Sequence, residues 1–309
     1  MAELPTWREA WTAALYGPDG FYRRERPGAH FRTSVHASPL FATAMLALAR
    51  RHDLTTVVDV GTGRGELLGQ LDELAPGELR LVGHDVVPRP SDLPPRIEWV
   101  DRLPDRIDGL VVANEWLDDI PCDVVEVDDA GTVRLVHVDP ATGEEALGEP
   151  FDEPWLNSWW PLAEPGTRAE IGAARDDDWA DVVRRVGDGL AVAIDYGHTL
   201  DRRPALGSLT AYQHGREVDV IPDGSRDITA HVAVDSLIGT RTTQREALHS
   251  LGILSTRPPL DRAHADPAGY VRELNDASAA AELTARGGLG DFIWIMSPHG
   301  LDGRAPAAR

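Results

Sequence analysis

Asp59, Gly61, Gly63 and Gly65 stand on one short stretch, TVVDVGTGRGE (residues 56 to 66), and their spacing points to ligand binding at the end of a buried strand. Val57, Val58 and Val60 supply the apolar strand, and the glycines supply a tight turn. Leu67, Leu68, Leu71 and Leu74 then recur at helical spacing, so a helix opens within the glycine run. Dinucleotide sites use GxGxxG here and aim the helix N-terminus at a pyrophosphate. In this chain the sixth position is Glu66, and the strand itself ends on Asp59. Carboxylates at both places repel a phosphate and attract an amino group, so the ligand expected is phosphate-free and cationic. A glycine turn after an apolar strand also occurs for purely structural reasons in many α/β proteins.

A second mark comes from the next apolar run, LRLVGHD, which ends on Asp85 at the distance where α/β nucleotide sites place a ribose-binding carboxylate. His84 beside it reads as a surface residue. A third strand is expected through Ile97 to Val100. A fourth, GLVVANEWLDDIP, runs from Gly109 and ends in Asn114, Glu115 and Asp118. Glu115 and Asp118 are the candidate catalytic carboxylates, able to orient a cationic acceptor and help it lose a proton. As acids next to a helix start they would equally stabilise its dipole.

The elements that must position these residues follow in chain order. A short helix carries Trp7, Ala10, Trp11 and Ala14 on one face and is broken by Gly17, Pro18 and Gly20. An arginine-rich loop with Arg23, Arg24 and Arg26 leads to a helix with Ser38 as N-cap and Pro39 at its first position. Val124 to Val127 and Thr132 to Val138 form a hairpin around DDAGT. Residues 140 to 165 leave the core, and Trp155, Trp159 and Trp160 either pack a satellite core or line an acceptor pocket. A helix is expected over Asp177 to Val186, ended by Gly187 and Gly189, and a fifth strand over Leu190 to His198. The polar stretch from 199 to 249 reads as a lobe or lid, with Tyr212, His214 and His231 as candidate substrate-binding residues. A helix over Thr242 to Leu251, a sixth strand at Ile253 and Leu254, a helix from Gly269 to Leu283 and a last strand from Asp291 to Pro298 complete the chain.

The net charge is −21, from 30 basic and 51 acidic residues, and every basic side chain is arginine. Such a field opposes nucleic-acid binding, which depends on phosphate neutralisation, and favours a cationic protein or small-molecule partner. Gene composition or solubility would explain the same bias. One cysteine, Cys122, excludes an internal disulfide, and no Cys/His spacing suits a metal. Neither a signal peptide nor a membrane span is expected, so a cytoplasmic location is the default. A homodimer is left open.

Several segments together resemble the MidA-like methyltransferases, a family that includes mitochondrial protein-arginine methyltransferases needed for assembly of respiratory complex I. They are VDVGTGRGELL, VVANEWLDDIPCDVVE, AIDYGH, GSLTAYQHGREVD, DITAHV, TTQREALHSLGI and GLGDFIWIM, in that order over most of the chain. The resemblance implies an S-adenosyl-L-methionine cofactor and methyl transfer to a protein guanidinium, while the altered N-terminal loop keeps a small-molecule nitrogen or oxygen as a competing acceptor. Its glycine-rich motif falls on Gly61, Gly63 and Gly65 and its strand-four motif on Asn114, Glu115 and Asp118; with the two acids read above, the cofactor residues expected are Asp59, Gly61, Gly63, Gly65, Asp85 and Asn114. Three departures stand out: His30 replaces an acid, His36 falls near an expected glutamate, and the stretch after Asp85, PRPSDLPPR, is short and proline-rich where the family has a helix. A non-catalytic assembly protein that kept the fold is the alternative from another class, and a nicotinamide oxidoreductase a third, disfavoured by Glu66.

The fold class expected is α/β, a seven-stranded, mostly parallel, Rossmann-like methyltransferase sheet with helices on both faces and inserted lobes. Its divisions would be 1–50 for the N-terminal helices and cofactor-covering loop and 51–200 for the cofactor-binding core, with the hairpin and Trp-rich insertion near 124–165. Residues 201–250 would form the inserted lobe and 251–309 the C-terminal elements. Ligands in such sheets bind at the carboxyl ends of the strands.

Overall fold

The computed structural model describes residues 4–24 and 33–301; Arg26 and His30 lie outside them. In chain order the helices are α1 (Trp7–Tyr16), α2 (Phe21–Arg24), α3 (Ser34–Ala37), α4 (Leu40–Arg51), α5 (Glu66–Leu74), α6 (Pro154–Trp159), α7 (Ala173–Arg185), α8 (Gln244–Ser250), α9 (Leu260–Ala265) and α10 (Pro267–Leu283). The strands are β1 (Thr56–Val60), β2 (Arg80–His84), β3 (Glu98–Val100), β4 (Ile107–Asn114), β5 (Val124–Val127), β6 (Val133–Val138), β7 (Glu145–Pro150), β8 (Arg168–Glu170), β9 (Val186–Asp195), β10 (Gly197–His198), β11 (Thr210–Gln213), β12 (Arg216–Val218), β13 (Asp227–Thr229), β14 (Val232–Ala233), β15 (Thr240–Thr243) and β16 (Ile293–His299). They gather into two units that interleave along the chain: Met1–Phe31, Glu115–Val183 and Asp195–Ile238 in one, and Arg32–Asn114, Arg184–Ile194 and Gly239–Arg309 in the other. The linear divisions read from the sequence cut across both.

The second unit holds the seven-stranded sheet, ordered β15-β16-β9-β4-β1-β2-β3. β1 pairs in parallel with β2 and β4, β2 with β3 and β4 with β9; β15 and β16 are antiparallel. Val60 lies opposite both His84 and Ala113, so the chain leaves β1, β2 and β4 at one edge, at Gly61, Asp85 and Asn114. Leu110, Val112, Leu190 and Val192 of the central strands pack with Phe41, Met45, Leu67, Leu68, Leu71 and Trp294. Each such side chain, fully buried, contributes roughly 1.5–3 kcal/mol of transfer free energy.

Four expectations about this unit change. Gly187 and Gly189 do not end a helix; α7 begins at Ala173, four residues before the expected start, and passes directly into β9, which contains both glycines. Backbone crowding requires glycine there, because a Cβ on Gly189 would lie 2.0 Å from the Gly109 carbonyl oxygen. Ile253 and Leu254 are not a strand. Ile253 is buried in the core from a loop, and the sheet's outer member is the polar segment Thr240–Thr243. An edge strand of this kind has no apolar alternation to reveal it. The helix beyond it therefore starts at Gln244, capped by the Thr243 hydroxyl. Likewise α4 starts at Leu40 rather than Pro39, with the Leu40 N–H donating to the Ser38 hydroxyl oxygen at 3.1 Å.

The first unit begins with α1, opened by a capping box between Thr6 and Glu9. The expected hairpin β5–β6 is extended by β7 and β8 into a four-stranded antiparallel sheet, β7-β6-β5-β8. Trp155 and Trp160 pack with Val125, Leu135, Ala169 and Ile171, the satellite core among the two readings of that stretch. The segment from 199 to 238 contributes a three-stranded sheet, β12-β11-β13, and β10 pairs with β14. The expected single strand over 190–198 is thus two: β9 ends at Asp195, and Gly197–His198 pair elsewhere.

Candidate functional site

The glycine turn of the second unit is built as its residue types dictate. Gly61, Gly63 and Gly65 have φ of 67°, 61° and 80°, the left-handed region that side chains resist. Among the described residues a Cβ on Gly63 would meet only Glu66 Oε2, at 3.4 Å, so the backbone there is open to close approach. Gly65 is enclosed instead: Leu93 Cδ1 would stand 2.8 Å from its Cβ. Leu93 belongs to the proline-rich stretch after Asp85, which packs onto the turn without forming a helix.

Three carboxylates ring this turn. Asp59 is buried, and its Oδ2 accepts from the Thr62 hydroxyl at 2.6 Å. Asp85 accepts from the Gly63 N–H at 2.8 Å through Oδ2 and from the Val87 N–H at 3.1 Å through Oδ1. Glu66 turns back from the first position of α5 to accept from the Arg64 N–H at 2.9 Å, and its Oε1 lies 3.5 Å from His36 Nε2. Among the described residues no arginine pairs with any of the three; Arg64 reaches Asp92. Burial pushes Asp59 up to about 7, with the Glu66 and Asp85 charges adding and the Thr62 hydroxyl opposing. Burial also raises Asp85. For Glu66 burial is outweighed by His36 and the turn N–H groups, which hold it below the usual range.

This donor set fits S-adenosyl-L-methionine. A carboxylate has about four acceptor positions, and Asp85 uses two, leaving two for ribose hydroxyls. Asp59 has one donor and can face an ammonium. A pyrophosphate would meet three carboxylates, with Glu66 standing where a helix N-terminus otherwise attracts an anion.

The first unit carries a separate buried network around the loop that follows Asn114. Asp195 Oδ2 accepts from the Leu117 and Asp118 N–H groups at 3.0 and 3.2 Å. Arg175, 2 % exposed, donates to the carbonyls of Asp118, Ile120, Ala230 and His231 at 2.7 to 3.1 Å. Asp118 Oδ2 accepts from the Thr229 hydroxyl at 2.7 Å, and Thr229 lies 2.5 Å from the Tyr196 hydroxyl. Tyr22 places its one hydroxyl 2.5 Å from Asp119 and 2.8 Å from Asp227. One proton cannot serve two carboxylates, so one carboxyl is protonated and donates back. Burial pushes Asp227 up to about 8. Burial raises Asp119 and Asp195 as well, each reinforced by the charge of Asp118.

Of the residues singled out in the sequence, Asp59, Gly61, Gly63, Gly65 and Asp85 come together at the turn, and Asn114 ends β4. Glu115 follows with φ of 51°. Asp118 is almost fully buried in the network. Tyr212 lies on β11 opposite Asp227 and Glu217, and His214 sits at the turn between β11 and β12. His231 packs edge-on against Tyr196, with ring centroids 4.9 Å apart. Tyr22 and Arg175 had no sequence signal, since partners in this network lie up to 205 residues away, whereas Tyr196 and Thr229 fall within the segments AIDYGH and DITAHV. Among the described residues no group of His, Cys, Asp and Glu suits a metal ion, and no helix is long and apolar enough to cross a membrane. Burial raises the Cys122 thiol to about 11.

A family profile described as "Putative S-adenosyl-L-methionine-dependent methyltransferase" matches residues 70–254, beginning just past the glycine turn. Among solved structures, a "likely methyl transferase" from Burkholderia thailandensis bound to S-adenosyl-homocysteine is 26% identical. It aligns with a TM-score of 0.77 over 98% of this chain and 90% of that one. A native structure of an uncharacterized protein from the same organism is 27% identical with a TM-score of 0.74, over 97% of this chain and 88% of that one. No curated protein matches. With the profile spanning more than half of its length and the sheet order and turn as described, the chain belongs to this family of S-adenosyl-L-methionine-dependent methyltransferases.

Proposed function

We propose that the chain catalyses methyl transfer from S-adenosyl-L-methionine to a cationic acceptor, a protein guanidinium in the manner of the MidA-like enzymes, with a small-molecule nitrogen or oxygen as the second choice. The observation that carries the reading is the phosphate-repelling glycine turn, ringed by Asp59, Glu66 and Asp85, with no arginine among the described residues paired to them. The S-adenosyl-homocysteine held by the Burkholderia thailandensis protein supports the same cofactor here. Bound, the cofactor supplies an electrophilic methyl group on a sulfonium. The chain's own part is to hold it: Gly63 by backbone approach, Asp85 at the ribose hydroxyls, Asp59 at the ammonium, and Asn114 at the end of β4.

Glu115 is our candidate for the acceptor. Its left-handed backbone is uncommon outside glycine and of the kind that accumulates at working sites. An arginine arrives protonated, so a carboxylate must orient it and help one nitrogen lose its proton. Asp118, bound to Thr229, is assigned to positioning this segment. Tyr212, His214 and His231 remain the proposed acceptor-binding residues. Alignment of donor and acceptor can supply about 7–11 kcal/mol, against roughly 3–5 for proton transfer, so positioning dominates.

The test is calorimetric titration with S-adenosyl-L-methionine and S-adenosyl-homocysteine, beside a Gly63→Arg variant. Micromolar binding lost in the variant, followed by label transfer to arginine-containing peptides, is the expected result. No binding to the wild type at millimolar ligand would refute it and leave a fold used for protein contacts.

A further inference from the structure

Of the three carboxylates at the turn, two are held as anions by donors. Asp85 takes two backbone N–H groups, and Glu66 takes one with the His36 ring beside it. Asp59 has the Thr62 hydroxyl alone and is 4 % exposed. Like charges this close cannot all persist without a cation, and the least hydrated, least bonded group is the one that gives way. The charged groups around it are Glu66 on α5, Asp85 beyond β2, His84 beside Asp85, and His36 beyond Glu66. Its sheet neighbours opposite are Gly83 and Val112, which carry no charge.

We propose that Asp59 is protonated in the free protein and releases its proton to solvent when the cofactor's ammonium binds, so that cofactor affinity rises with pH. The inference rests on the functional reading above. The proton comes off the Asp59 carboxyl, and the ammonium of the incoming ligand replaces it as the positive partner. Because the free-state value is about 7, only the unprotonated fraction binds. The Asp59 contribution alone then makes affinity about tenfold weaker at pH 6 than at pH 8, and affinity falls again where the ligand's own ammonium, with an ordinary value of about 8, loses its proton. The ammonium is shared by S-adenosyl-L-methionine and S-adenosyl-homocysteine, so both release the proton.

The experiment is titration of the whole protein with S-adenosyl-homocysteine at about pH 6.5 in buffers of different ionisation enthalpy, whose slope counts protons released. The wild type is expected to release about three-quarters of a proton per site and Asp59→Asn none, the difference between them cancelling any titration of the ligand's own amine. Thr62→Val, nearly isosteric, removes the one hydroxyl that opposes protonation. It should shift the pH midpoint of binding upward, and it carries the test if Asp59→Asn fails to fold. Binding without proton release in the wild type, or an unchanged midpoint in Thr62→Val, overturns the inference and leaves the methyltransferase reading standing. Absence of binding overturns both.

Discussion

Asp227 is a residue whose protonation the fold imposes. Its carboxyl shares the Tyr22 hydroxyl with Asp119 in a buried site, and burial pushes it up to about 8, against about 3.9 when unfolded. Between those values the folded state holds more protons than the unfolded chain, so this group's contribution to stability falls as pH rises from about 4 to about 8. Thermal unfolding of Asp227→Asn should therefore vary less with pH over that window than the wild type. The amide still accepts from Tyr22. An unchanged pH profile would show that the shared proton lies elsewhere. Arg175 gives a second expectation at this scale. Lysine has three donors and no fork, so Arg175→Lys should lose at least one of these four buried hydrogen bonds. The cost is about 1–3 kcal/mol, read as a lower urea midpoint.

At the scale of elements, the centre of the sheet depends on backbone packing between β4 and β9. The register shifts between Ile107 and Gly109, and a Cβ on Gly189 would then meet the Gly109 carbonyl oxygen, while one on Gly109 would meet the Thr56 carbonyl oxygen of β1. Gly189→Ala should destabilise by at least about 1–3 kcal/mol, because the obstructing atom is a carbonyl of a central strand and cannot turn aside. Circular-dichroism melts would show it, and a variant as stable as the wild type would mean that the two strands are spaced more widely. The satellite core behaves differently. Trp160 packs beneath the Arg203 guanidinium, 5.5 Å from its ring centroid, and that guanidinium is paired to Asp235. The tryptophans that could have lined an acceptor pocket are thus committed to structure.

For the whole molecule, the charge of −21 sets how partners approach. Fields of exposed charges are screened beyond about 8 Å at physiological ionic strength, whereas Asp59 and Asp85 are largely buried. Raising salt from about 0.05 M to about 0.5 M should weaken binding of an arginine-rich peptide several-fold and barely alter that of S-adenosyl-homocysteine. Equal sensitivity of both ligands would place the cofactor carboxylates in solvent.

The sequence by itself determined what is local. Apolar runs ended by glycine and acid placed β1, β2 and β4, the turn at Gly61 to Gly65, and Asp85, since strand, turn and helix start are written in neighbouring residues. Glu66, with Asp59 beside the turn, separated it from a phosphate site. Tertiary structure decided the rest. It showed that Gly187 and Gly189 belong to a strand, where the reason for glycine at 189 is the carbonyl of a residue 80 positions earlier. It made the polar Thr240–Thr243 segment an edge strand, which hydrogen bonds to one neighbour and needs no apolar face. And it joined Tyr22, Asp118, Asp119, Arg175, Asp195, Asp227 and Thr229 into one buried network, whose pairing depends on distance in space and leaves no periodic trace along the chain.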